Sequence, residues 1–300
     1  MFSGPKLGLI ELWDAKVWFE VSNSVSKATL RVNKKGESVY KLVPYKGSLG
    51  NEFNPITFTV GGLEPNTTYE YTLLANDKPT RSTGQFTTKK LWQWREPVPD
   101  FSFLTGSCSY FNEPAYDRPG VPYGKDSTIF ASMAKENAAM MIWLGDAWYT
   151  REVDYYSEWG LWYRASRDRA TPILQPFLKS MTHVGVWDDH DYGPNDSNGS
   201  FVLKNTSLEV FDHFWCNPTT GIEGSKGICS MTRIGDIDFF FLDNRFHRTS
   251  PKYNNTPFIS IPHGTQILDP EQREWLINAL FTSNASYQVI CIGGQFLNSA

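Results

Sequence analysis

The chain has 300 residues, a formal net charge of −4, 40% hydrophobic and 20% charged residues, a soluble-globular balance with room for two domains. The slight acidic excess offers no basic footprint for a nucleic acid, and no apolar run reaches the about 18 residues of a membrane span. Aromatic residues make up 15%, 11 of them Trp, which suits large rigid cores.

Residues 1–12 lack the basic start and apolar stretch of a signal peptide, so the chain is either cytoplasmic or written without its leader. Residues 15–21 (AKVWFEV) alternate apolar and polar, as do 28–32, 56–60 and 69–74. Gly, Asn and Pro clusters separate them, so residues 1–92 read as a small all-β sandwich. Within 61–74, Leu63, Pro65 and Tyr69 resemble the fibronectin type III (Ig-like) pattern, in which the tyrosine ties its strand to the preceding loop. No chemistry is visible in this part. Residues 89–100, charged and ending in two prolines, mark the boundary, and Trp92 and Trp94 are expected to wedge between the domains.

From residue 93 to 300 the grammar becomes α/β. Residues 101–104 form a short apolar run. Asp126 is placed to cap a helix over 127–137, with Ile129, Phe130 and Met133 on one face. Residues 139–144 are continuously apolar, as a buried strand requires, and 185–187 and 237–242 look similar. The charged run 164–169 reads as a solvated helix face. Asp269, Pro270 and Gln272 open a helix expected to reach about residue 280. A last strand covers 288–292. The four cysteines show no CxxC spacing, which excludes a zinc ribbon. A Cys216–Cys229 disulfide would close a turn-rich loop and contribute roughly 3 kcal/mol; the alternative is two unrelated buried thiols.

Each apolar run is followed by chemistry. Gly106-Ser107-Cys108 follows the first, Gly145-Asp146 and Tyr149 the second, and Asp188-Asp189-His190-Asp191 the third. Asp243 and Arg245, then Gly293-Gly294-Gln295, follow the last two. Open α/β sheets place their sites at the carboxyl ends of strands, so five ends converge. Three carboxylates sit with an imidazole in four positions, and left unpaired their like charges repel one another unless a cation intervenes. Carboxylates suit Ca²⁺, Mn²⁺ or Mg²⁺, while a thiolate and a phenolate with a carboxylate suit Fe³⁺.

These same residues carry a resemblance. Gly106-Ser107-Cys108, Leu144-Gly145-Asp146 with Tyr149, the block from Trp187 through Asp188-Asp189-His190-Asp191 to Asp196, Leu242-Asp243 with Arg245, and Gln272 with Trp275-Leu276 resemble, in order, the PhoD-like alkaline phosphatases. The resemblance covers nearly the whole chain, and the Trp-Asp-Asp-His-Asp block is its most specific element. It implies an αββα metallophosphatase sandwich behind the small β-sandwich, and hydrolysis of phosphate esters at an Fe³⁺/Ca²⁺ site. It further implies that Cys108, Asp146 and Tyr149 hold Fe³⁺, that Asp146 bridges the metals and that Asp189 binds the second. His190 would protonate the leaving oxygen, and Arg245 would clamp the phosphate. The family is secreted, periplasmic or at the cell surface. Its further Gly-Asp-x-His motif is absent before Ala300, which reads as a missing C-terminal part.

Other readings stand beside these. Asp188 and Asp191 could be exposed loop residues or orient a ligand, Asn195 and Asp196 could shape a turn, and Arg245 could pair with Asp243. His183, His213, His247 and His263 have no metal-like pairing. Sequons at Asn66, Asn205 and Asn284 matter only in eukaryotic secretion. The function could instead be that of a phospholipase D-like lipid phosphodiesterase, or of a binding protein on a decayed phosphatase scaffold.

Overall fold

The computed structural model describes residues 2–249 and 266–294. The first seven strands are β1 (Ser3–Ile10), β2 (Asp14–Glu20), β3 (Ala28–Lys34), β4 (Tyr40–Pro44), β5 (Pro55–Gly61), β6 (Thr68–Ala75) and β7 (Lys78–Thr87). An antiparallel sheet in the order β4-β3-β6-β7 faces β5-β2-β1. Leu7, Val17, Phe19, Leu30, Phe58 and Tyr71 fill the space between them. The Tyr69 hydroxyl accepts the Glu64 N–H at 2.9 Å, closing the expected tyrosine corner.

There follow β8 (Phe103–Gly106), α1 (Ile129–Met133), β9 (Met140–Leu144), α2 (Glu158–Arg169), α3 (Gln175–Leu178), β10 (Thr182–Val186) and α4 (Asp189–Tyr192). Then come α5 (Lys204–Phe214), β11 (Ser230–Ile234), β12 (Ile237–Phe241), α6 (Pro270–Thr282) and β13 (Tyr287–Cys291). β8, β9 and β10 run parallel, and β11-β12-β13 form a separate sheet. Two sheets with flanking helices and an all-β part in front match the expected fold class.

The larger sheet crosses the 92/93 position. Its order is β5-β2-β1-β10-β9-β8, with β1 parallel to β10 where Leu7 pairs with Thr182. β2 is therefore buried on both faces rather than on one, as its alternation suggested. Val17 and Phe19 point into the front sandwich, while Trp18 joins the main core and donates Nε1–H to the His213 carbonyl at 2.8 Å. Lys6, fully buried, donates to the Phe214 carbonyl and lies over the rings of Trp18 at 4.6 Å and Trp215 at 5.0 Å.

Several expectations are corrected. The helix over 127–137 shrinks to α1, because Lys135 and Glu136 bond three residues back and Ala139 already pairs with Ser102 ahead of β9. The 164–169 run is not solvated. Arg164, Asp168 and Arg169 are buried, Arg164 against Glu113 at 2.7 Å and Asp154 at 2.8 Å. Arg169 lies over the Trp215 ring at 4.3 Å. Trp94 wedges nothing; it is fully exposed. Cys216 and Cys229 are free thiols in different cores, the first against Thr57 and the second beside Phe240 and Leu242. No helix among the described residues is long and apolar enough to cross a membrane.

Candidate metal centre

The carboxyl ends of β8, β9 and β10 open on one edge of the larger sheet, and each turns sharply. Cys108 after β8 and Asp146 after β9 both hold left-handed backbone, at φ +60° and +52°. Such non-glycine positions cost energy and persist where the surroundings over-determine them. Here Cys108 N–H bonds to the Gly145 carbonyl at 3.4 Å and Ser109 N–H to the Asp146 carbonyl at 2.8 Å. Gly145 itself has φ +88°, and a Cβ there would lie 2.7 Å from the Asp188 Cβ. Gly293, from the end of β13, packs against the same Trp187-Asp188 backbone. The glycines thus let three strand ends close on one point.

Asp191, buried in α4, organises that point. Its carboxylate accepts backbone N–H groups from Asp146 (2.5 Å), Ala147 (2.7 Å), Trp148 (3.2 Å) and Asp188 (3.0 Å). Of the two readings of Asp191, the orienting one describes what it does. Asp243 plays the same part after β12, accepting from Trp187 Nε1 and from the backbone of Ile228, Arg245 and Phe246. Gln272 clasps the Asp243 backbone, accepting its N–H at 2.7 Å and donating to its carbonyl at 2.9 Å. Asp269 caps α6 as expected, but Gln272 is turned toward the site instead of completing a capping box.

In front of this scaffold, ligand atoms of Asp146, Asp189 and His190 lie within 4.8 Å of one another. Cys108 Sγ is 3.7 Å from Asp146 Oδ2, and the Tyr149 hydroxyl lies beside both. The Tyr149 ring packs on His190 at 4.4 Å. Asp189 is held by the Asp196 N–H at 2.6 Å, so the Asn195-Asp196 turn does shape the site. The Arg245 guanidinium pairs with Asp188 rather than Asp243; its Nε donates at 2.6 Å and its Nη2 stands 3.8 Å from Asp189. Asn244, to which the sequence assigned no role, donates to Asp188 at 2.9 Å. Gln295 and His263 lie outside the described residues. His183 is a satisfied core residue between Trp143 and the Phe177 carbonyl, its imidazole pushed down to about 3 by burial.

The electrostatics ask for a cation. Burial raises the carboxyl of Asp146, and the negative charges of Asp189 and Asp188 raise it further. Asp191 is raised by burial and by Asp146, and Tyr149 by burial and its bonds to Cys108 and Asp146. His190 Nδ1 is buried with no hydrogen-bond partner. Carboxylate, thiol, phenol and imidazole donors meeting at one point, over-supplied with negative charge, fit a multivalent metal.

Residues 103–297 match the PhoD-like phosphatase family. Comparison with the curated proteins finds no match. Among solved structures the chain is similar to one described as the structure of PhoD, with TM-score 0.75 and 18% identity over 95% of this chain and 60% of that one. It is also similar to purple acid phosphatase PPD1 from yellow lupin (Lupinus luteus) seeds, with TM-score 0.60 and 13% identity over 95% of this chain and 50% of that one. At such identities the likeness is one of fold, and the chain spans 60% and 50% of the two proteins' lengths. With the family match covering 103–297 and both sheets in place, the chain belongs to the PhoD-like phosphatase family.

Proposed function

We propose that the chain carries a metal-dependent phosphoesterase site. The convergence of Asp146, Asp189 and His190 beside Cys108 and Tyr149 is the observation that supports it most directly. Cys108, Asp146 and Tyr149 would hold Fe³⁺, with Asp146 shared and Asp189 serving a second ion, Ca²⁺. Bound there, the metal pair would supply Lewis acidity toward the phosphoryl oxygens and an activated water at neutral pH.

The chain's own residues do the rest. His190 lines an adjoining cleft and donates a proton to the leaving oxygen as the ester P–O bond breaks and the oxygen of water bonds to phosphorus. Asp191 and Asp196 fix Asp146 and Asp189, so no reorganisation is needed as charge develops. Arg245 orients Asp188 and stands beside Asp189; clamping a phosphate is its further proposed role. A location outside the cytoplasm is supported by family membership alone.

The test is metal analysis of the purified chain, followed by assays with a phosphomonoester, a phosphodiester and a phospholipid. Bound metal with metal-dependent hydrolysis is expected. A metal-free chain that hydrolyses none of the three after reconstitution would end this reading.

A further inference from the structure

A cleft of about 580 Å³ adjoins the carboxylate cluster and is lined by Tyr110, Tyr123, Tyr149, Tyr155, Arg118 and His190, among others. His190 belongs to its lining; Asp188, Asp189 and Arg245 do not. Whatever hangs from an oxygen protonated by His190 therefore enters this cleft, while the phosphoryl group faces the carboxylates. A neighbouring hollow along β8 and α1 shares Cys108, Tyr110 and Tyr123 with the cleft but does not reach His190.

The walls are flat rings held in place. Tyr110 lies 5.4 Å from Tyr123 and 5.0 Å from Tyr149, ring centre to ring centre. Its hydroxyl donates to Asp117 at 2.8 Å, and the Arg151 guanidinium covers its face at 4.2 Å. Tyr123 is 61% exposed, the most open of the four rings. Arg118 donates twice to Glu152, at 2.8 and 2.6 Å, so the charges at the mouth cancel. An open ring face favours another ring in offset or edge contact. A flexible polyol presents no such face, and a charged group finds its counter-charge already paired.

We propose that this cleft is a leaving-group subsite for an uncharged planar aromatic ring, which makes aryl phosphates better substrates than alkyl or polyol phosphates. The proposal rests on the phosphoesterase reading for its consequence in turnover, but not for binding.

Two measurements on the full metal-bound chain test it. Calorimetry compares phenylphosphonate with methylphosphonate. Kinetics compare kcat/KM for phenyl phosphate and for hexafluoroisopropyl phosphate, an alkyl ester with a leaving group of comparable acidity. The ring is expected to win by about ten-fold in both, the size of one good stacking contact. Tyr123→Ala combined with Tyr155→Ala should bring both ratios near one, and Tyr123→Phe should keep them. Equal binding of the two phosphonates would overturn the subsite whatever the rates. Ring preference in binding without hydrolysis of either ester would support the subsite and refute its consequence for monoester turnover, the phosphoesterase reading then being decided by the diester and phospholipid assays.

Discussion

Asp191 holds the backbone of Asp146: its buried carboxylate takes the Asp146 N–H at 2.5 Å and three further N–H groups of the same two turns. The left-handed conformation of Asp146, φ +52°, is kept by these bonds. Asp191→Ala removes them all at once. A loss of about 3 kcal/mol in unfolding free energy is expected, together with reduced metal content. Denaturant titration and elemental analysis check both; unchanged values in both would show that the turn holds itself.

Asp146→Asn keeps the shape and removes a charge where Asp189, His190 and Cys108 meet. Hydrolysis should fall at least about a hundred-fold, with metal content falling in parallel. Chelation of the unmodified chain should give the same loss, reversed by adding metal back. Full activity in the variant would place the metal elsewhere.

His190 lines the cleft and also lies within reach of the carboxylates, so it can serve either as proton donor or as ligand. As donor, His190→Ala should slow esters of poor leaving groups by about a hundred-fold or more and leave activated esters nearly untouched. A uniform loss across leaving groups, with less metal bound, would make it a ligand.

Arg164 sits between Glu113, Asp154 and Asp168 with no exposed surface. Arg164→Met takes the buried counter-charge from Asp154 and one partner each from Asp168 and Glu113, which keep Arg167. The expected cost is about 3–5 kcal/mol, read as a lowered melting temperature. A melting temperature within a degree or so of the parent chain would mean that water reaches the network.

Glu20 is buried where β2 meets α2, one oxygen accepting from Ser166 at 2.7 Å and the other without a partner. Burial pushes its carboxyl from 4.5 up to about 7, partly offset by the Ser166 bond. Between these values the folded chain keeps a proton that the unfolded chain has released. Its stabilising contribution is therefore fully present below about pH 4.5 and lost as pH rises through about 7. Glu20→Gln should match the parent chain at pH 4 and exceed it by about 3 kcal/mol at pH 8. Equal pH dependence in parent and variant would refute the assignment.

The local signals in the sequence reached far. An apolar run followed by Gly-Ser-Cys, Gly-Asp or Trp-Asp-Asp-His-Asp is a strand that ends in candidate ligands, and each element of that statement lies within ten residues. The Asp269-Pro270 start of α6 is local in the same way, since a cap and its N–H are neighbours in the chain. Hence the α/β class, the five strand ends and Cys108, Asp146, Tyr149, Asp189 and His190 could be named before any coordinates.

What only the tertiary structure decided depends on partners far apart in sequence. β1 enters the larger sheet because Leu7 meets Thr182, and no pattern in residues 3–10 announces that strand. Lys6, Arg164 and Arg169 carry charge, and a pattern reading sends charge to solvent. They are buried because aromatic faces and carboxylates from other segments replace water around them. Gln272 looked like half of a capping box and instead clasps Asp243, 29 positions away. Chain-local chemistry is written in neighbouring residues; desolvation is set by whatever the fold brings alongside, and that is why the candidate ligands were legible and their supports were not.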